Sequence, residues 1–222
     1  MEEDLKKNIL KTGTSLVGIV CKGGVVMAGD RKTTAGGQIV MHKNTSKVVK
    51  INDYVVVSGT GNSSDIILFR KLIAAELKLK ELRDKKRPTV KEVANLIGMI
   101  SYKNIRQPSM IPFIAGLMVG GVDESGEVGL YSVEPAGGVT KIDDFDANFS
   151  SGMPYILGLL ERQYKKDLSV EEGVALAIES IKASSERDTA SGFGVDVFTI
   201  TKEGIKQVSK QKAESVYSEQ IA

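Results

Sequence analysis

Thr14 directly follows Gly13 in the run Lys11-Thr12-Gly13-Thr14-Ser15-Leu16-Val17-Gly18-Ile19, and the whole chain carries one histidine, His42. A hydroxyl nucleophile is weak at neutral pH and needs a base beside it. Cleavage of the Gly13–Thr14 bond would give Thr14 a free α-amine, a group that titrates near roughly 7.7–8.0 when unperturbed. One residue would then hold nucleophile and base together, the N-terminal-threonine form of hydrolysis. The plainer reading is that Gly13 and Thr14 simply open a strand.

Other polar residues gather where strands and helices end, the usual home of active sites. Asp30 closes an apolar run ahead of Arg31-Lys32-Thr33-Thr34, and Lys47 follows the loop His42-Lys43-Asn44-Thr45-Ser46. Ser150-Ser151-Gly152 precedes one helical segment, and Arg187-Asp188-Thr189-Ala190-Ser191-Gly192 follows another. A lysine beside the Thr14 hydroxyl would lower its pKa, and an aspartate would keep that lysine charged and oriented. Serines and a second aspartate could hold the amine and relay its proton. Each residue also has a plain structural reading, as a turn, a cap or a surface charge. Ser58-Gly59-Thr60-Gly61-Asn62 lacks the Gly-Lys-Ser/Thr ending of a phosphate loop. Backbone N–H groups aimed at an oxyanion suit it better. His42 has no Cys or His partner in sequence, so no metal site is expected.

Several elements must position these groups. Apolar runs predict strands at Ser15–Cys21 and Val25–Asp30, joined by Lys22-Gly23-Gly24, then at Lys47–Ile51 and Tyr54–Ser58. Ile66, Phe69, Ile73 and Leu77 recur at helical spacing from Ser63 to about Arg83. Thr89 and Glu92 form a capping-box pattern for a second helix. Strands return at Phe113–Gly120 and Glu127–Val133. Helices follow at Pro154–Tyr164 and from Ser169 to about Glu186, the latter burying Val174, Ile178 and Ile181. A hairpin, Val195–Thr201 with Ile205–Val208, closes the chain's regular structure. Blocks of strands alternating with helix pairs predict an α+β fold with mainly antiparallel sheets. Two packed sheets with a helix pair on each outer face, a four-layer αββα sandwich, would use every apolar stripe.

The 222 residues suit one domain. Thirty basic against twenty-eight acidic residues, a net charge of +2, give no electrostatic case for nucleic-acid binding. The basic run from Lys78 to Arg87 has no interleaved aromatics and reads as a solvated helix end. Cys21 is the only cysteine, which excludes an internal disulfide. No stretch is apolar for the roughly 18 residues of a membrane span. Residues 1–13 have three acids, three bases and no long apolar centre, and read as a short leader ahead of a domain at 14–222.

Thr14-Ser15-Leu16-Val17-Gly18-Ile19, Ala28-Gly29-Asp30-Arg31, Met118-Val119-Gly120-Gly121-Val122-Asp123 and Arg187-Asp188-Thr189-Ala190-Ser191-Gly192 together resemble a proteasome β-subunit of the archaeal type. Tyr131-Ser132-Val133-Glu134-Pro135-Ala136-Gly137-Gly138 and Ser151-Gly152 add to the likeness, which runs from Thr14 to about Thr201. The resemblance implies an Ntn-hydrolase fold and a cytoplasmic threonine endopeptidase whose leader is cut autocatalytically between Gly13 and Thr14. Thr14 matches the nucleophile, and Asp30 and Lys47 match the acid and lysine beside it. Ser151, Asp188 and Ser191 match the group around the amine. Gly59 matches the oxyanion glycine, and Thr34 and Gly61 the positions that align substrate backbone. Thr33, Thr45, Val49, Val57 and Gly61 would line an apolar specificity pocket, with Asp65 at its far wall offering a basic alternative. The loop before Lys47 is one residue longer than the family pattern, and Ser15 stands where threonine is common. Implied partners are α-subunits and sister β-subunits in stacked seven-membered rings, an ATP-driven unfoldase acting through the α-ring, and unfolded polypeptide as substrate. The alternatives are a simpler two-ring bacterial peptidase and a non-catalytic ring subunit supporting active sisters.

Overall fold

A computed structural model describes residues 13–35, 39–110 and 112–212. The predicted leader therefore lies outside the described residues, except for Gly13.

The apolar run after Thr14 forms β1 (Leu16–Cys21), which turns back through Gly23 into β2 (Gly24–Asp30). Gly23 has φ of 79°, a left-handed backbone that glycine adopts without penalty. After β3 (Thr33–Ala35) and β4 (Ile39–His42) come β5 (Val48–Lys50) and β6 (Val55–Gly61). Two helices follow, α1 (Ser63–Asp84) and α2 (Val90–Ile105). Next are β7 (Ala115–Val122), β8 (Val128–Val133), β9 (Val139–Lys141) and β10 (Phe145–Asp146). The second helix pair is α3 (Met153–Gln163) and α4 (Val170–Ser185), and β11 (Gly194–Thr201) and β12 (Gly204–Lys212) complete the order.

Two five-stranded sheets result, β10-β1-β2-β11-β12 and β5-β6-β7-β8-β9, with antiparallel pairing throughout. Strands β1, β2 and β11 carry α4 on one face, and α3 packs beside it. The other sheet carries α1 on β6 and α2 on β7 and β8. This is the expected αββα sandwich. Its sheets approach closely: a Cβ added to Gly18 would lie 2.3 Å from Met118 Sδ, and one on Gly120 2.6 Å from Ile200 Cδ1. Glycine at these two facing positions admits the larger side chains of the opposite sheet.

The helix signals act as read. Thr89 with Glu92 and Ser169 with Glu172 each form a reciprocal capping box. Ile66, Phe69, Ile73 and Leu77 are the buried stripe of α1, and a fully buried Phe69 or Ile73 contributes about 1.5–3 kcal/mol. On α4, Ile181 is buried while Val174 and Ile178 pack part-buried against the core.

Two elements differ from expectation. Thr33–Ala35 and Ile39–His42 pair only with each other, as a small separate sheet. All of β4 is exposed, so no alternation marked it. Strand β12 also runs past Val208 to Lys212, because β11 offers it a partner along the whole length.

Candidate active site

The sandwich brings four chain segments to Thr14, which is 4 % exposed. Asp30 ends β2 one strand away, and its fully buried carboxylate is held by four donors. The Ser15 N–H (2.8 Å) and Lys47 Nζ (2.7 Å) donate to Oδ1, and the Lys32 (3.0 Å) and Gly192 (3.0 Å) N–H groups to Oδ2. Lys47 precedes β5 in the other sheet, so the Asp30–Lys47 ion pair joins the two sheets at the site. Burial pushes the Lys47 pKa down, opposed by the Asp30 charge. The same burial pushes Asp30 up, opposed by Lys47 and by the backbone donors. The loop carrying Asn44 and Thr45 is tied back to the first sheet by Arg31, which bonds Asn44 and pairs with the buried Asp196.

The Gly13–Thr14 peptide lies within this frame. Thr14 Oγ1 donates to the Gly13 carbonyl oxygen at 2.7 Å, and Lys47 Nζ donates to the same oxygen at 2.9 Å. The Thr14 N–H donates to Ser151 Oγ at 2.9 Å. Ser151 Oγ in turn lies 2.6 Å from Asp188 Oδ2, which also accepts from Ser191 Oγ at 2.6 Å. Asp188 and Ser191 are placed by the turn after α4, where the Ser191 N–H bonds the Asp188 carbonyl. Thr14, Asp30, Lys47, Ser151, Asp188 and Ser191 therefore form one connected network.

Two serines extend it. Ser15 Oγ donates to Ser191 Oγ (2.7 Å) and shares a hydrogen bond with Ser184 Oγ (2.6 Å). Sequence reading missed Ser184, whose signal was a polar residue on the buried face of α4. Gly152 shows why this corner is crowded: a Cβ there would sit 2.1 Å from both Ser15 Oγ and Ser184 Oγ.

Gly59, expected to supply the oxyanion amide, lies at the β5–β6 pairing. Its N–H donates to the Lys47 carbonyl at 3.3 Å, continuing the β5–β6 pairing. Gly61, two residues on, ends β6 with φ of 123°. Both glycines line the cleft beside Thr14.

That cleft is also lined by Thr33, Thr45, Ser46, Lys47, Ser63, Ile66, Ile67 and Arg70. Thr33 Oγ1 bonds Thr45 Oγ1 at 2.8 Å across its rim. Three expected pocket residues are elsewhere. Val57 is fully buried in the core and Val49 part-buried on β5, neither lining the cleft. Asp65 also stays outside it, its carboxylate accepting from the Ile114 backbone. Thr34 is buried in β3, with no hydrogen-bond partner for its hydroxyl among the described residues. Among the described residues no cluster of His, Cys, Asp and Glu could hold a metal ion, and no helix is long and apolar enough to cross a membrane.

Residues 10–200 match the Proteasome family, described as proteasome subunit. The chain is 38% identical over 204 residues to proteasome subunit beta 2 of Pyrococcus abyssi, covering 92% of this chain and 94% of the relative. It is 36% identical to proteasome subunit beta of Archaeoglobus profundus over 206 residues, 93% of each. It is also 38% identical to proteasome subunit beta 1 of Thermococcus kodakarensis over 204 residues, 92% of this chain and 96% of the relative.

Proposed function

Because the chain belongs to the proteasome β-subunit family and has its Ntn-hydrolase fold, we propose that it is a self-processing threonine endopeptidase. The observation that carries this reading is the double grip on the Gly13 carbonyl oxygen by Thr14 Oγ1 and Lys47 Nζ.

Leader removal begins when Thr14 Oγ attacks the Gly13 carbonyl carbon. The Lys47 ammonium holds the developing oxyanion, and Asp30 keeps that ammonium in place. The proton lost by the attacking hydroxyl passes to the Thr14 nitrogen as the C–N bond breaks, leaving an ester between Gly13 and the Thr14 oxygen. Water hydrolyses this ester, releasing residues 1–13 and a free Thr14 amine at the position now bonded to Ser151.

In peptide hydrolysis the amine takes the Thr14 hydroxyl proton, and Ser151, Asp188 and Ser191 orient that amine. The substrate oxyanion falls to the amide edge at the end of β6. Gly59, the glycine that the family likeness points to, and Gly61 both line the cleft there. Acyl transfer to Thr14 Oγ, then attack by water, completes the cycle without metal or organic cofactor. The enzyme works within stacked seven-membered rings with α-subunits and sister β-subunits in the cytoplasm. Polypeptide unfolded by an ATP-driven partner at the α-ring is its substrate.

Intact mass of the particle assembled with α-subunits, combined with a peptide-cleavage assay, tests the proposal. A chain beginning at Thr14 and cleaving peptides is expected. A particle retaining residues 1–13 and lacking activity would instead establish a structural ring subunit.

A further inference from the structure

Helix α4 carries three serines, Ser180, Ser184 and Ser185. Ser180 and Ser185 each donate to the carbonyl four residues earlier, Leu176 at 2.8 Å and Ile181 at 2.7 Å. Such a bond satisfies a serine hydroxyl within its own helix. Ser184 does otherwise. Although fully buried, it turns its hydroxyl to another element, Ser15 Oγ, at 2.6 Å. Gly152 leaves the room in which the two meet.

The direction of the protons along this contact is forced. A carboxylate only accepts, and a hydroxyl has one proton to give. Ser191 spends its proton on Asp188 Oδ2 at 2.6 Å, so Ser15 must donate to Ser191, at 2.7 Å. Ser15 then has none left, and Ser184 must donate to Ser15. The line runs from Ser184 through Ser15 and Ser191 to Asp188, each hydroxyl polarising the next. It ends on the oxygen that also accepts from Ser151, the residue bonded to the Thr14 N–H. Ser184 holds Asp188 from a second side as well, since its backbone carbonyl accepts the Asp188 N–H at 2.7 Å.

We propose that Ser184 is a positioning residue of the active site. Through Ser15 and Ser191 its hydroxyl fixes the Asp188 carboxylate, and with it Ser151 and the Thr14 nitrogen. The proposal rests on the peptidase reading above and adds a residue on which its turnover depends. Without the Ser184 proton, Ser15 Oγ keeps no donor in this line and its own hydroxyl is free to turn from Ser191. Asp188 then loses part of the hold on the oxygen that aligns Ser151. Ser15 also adjoins the nucleophile in the chain, with its N–H on Asp30, so the same contact steadies both sides of Thr14. Ser184 does not line the cleft, so its removal should touch the chemical step and not substrate binding.

The test uses the particle assembled with α-subunits and a fluorogenic peptide, at temperatures well below the unfolding of each variant. Ser184→Ala should lower kcat about tenfold, with KM within about twofold of wild type. Ser184→Thr, which returns the hydroxyl, should recover kcat to within about twofold. Ser15→Ala should lower kcat by a similar factor. Adding Ser184→Ala to it should do little more, because the line is already cut. Wild-type kcat in Ser184→Ala, a Thr variant as slow as the Ala one, or effects that multiply in the double variant would each overturn the role of Ser184. Chemical denaturation of the same set reads the line without turnover. The stability losses of Ser15→Ala and Ser184→Ala should not add, and additive losses overturn the line. A wild-type particle that keeps residues 1–13 and cleaves nothing sinks the peptidase reading, whereas non-additive losses would leave the hydroxyl line standing.

Discussion

Lys47 Nζ bridges Asp30 Oδ1 at 2.7 Å and the Gly13 carbonyl oxygen at 2.9 Å, so one ammonium serves the acid of the site and the bond before the nucleophile. The group that would support peptide hydrolysis is thus already in place for leader removal, and the two reactions should fail together.

Thr14→Ala should leave the fold intact while abolishing both reactions. Mass spectrometry would show residues 1–13 retained, and peptide cleavage would fall to background. A Thr14→Ala particle that still loses its leader would show that another group attacks Gly13.

Lys47→Ala should likewise retain the leader. Lys47→Arg should not restore normal turnover, because a guanidinium is broader than the ammonium held between Asp30 and Gly13. Near-normal processing in Lys47→Ala would reduce the lysine to an internal charge partner.

Leader removal should slow as pH rises. Burial lowers the Lys47 pKa below the 10.5 of a free lysine. The ammonium is present below that lowered value and lost above it, so the alkaline limb should begin earlier than an unburied lysine allows. Rates of precursor conversion across the alkaline range measure this. A profile that stays flat up to the ordinary lysine range would exclude a need for the charged form.

Gly152→Ala should destabilise the protein by about 1–3 kcal/mol, since its Cβ would press on Ser15 and Ser184 in a buried corner. Chemical denaturation measures the loss, and conversion of the precursor should slow with it. Wild-type stability in this variant would mean that the serine cluster yields easily.

Cys21 should be inert in the native particle. It is buried, and that burial raises its pKa to about 11. Only about 0.1% is thiolate at pH 8, and the thiolate is the reactive form. Thiol-reagent labelling should become fast only on unfolding. Rapid labelling of folded protein would indicate that α4 lifts from Cys21, whose Sγ would lie 2.3 Å from a Cβ added to Gly173 on that helix.

Thr14 and the five polar residues around it were legible because their types form a chemical set and the strand and helix ends that carry them are marked by turns. The cleft was less legible. Val57 and Gly59 share a face of β6, but Val57 lies two residues nearer its start and already belongs to the core. Residue type favoured the valine, whereas depth along the strand decides which position meets the cleft. The exposed β3–β4 hairpin left no periodic trace, since neither face of β4 meets a core.

Thr14 leads into and Asp30 ends strands of one sheet, and Lys47 leads into a strand of the other. A nascent chain whose sheets have formed but not docked has every side chain of the Thr14 network and yet no ammonium at the Gly13 carbonyl. If the chain cleaves itself as proposed, this geometry would make the cut a proofreading step: an irreversible covalent record made only by chains whose two halves have met, and readable afterwards from the chain's mass alone.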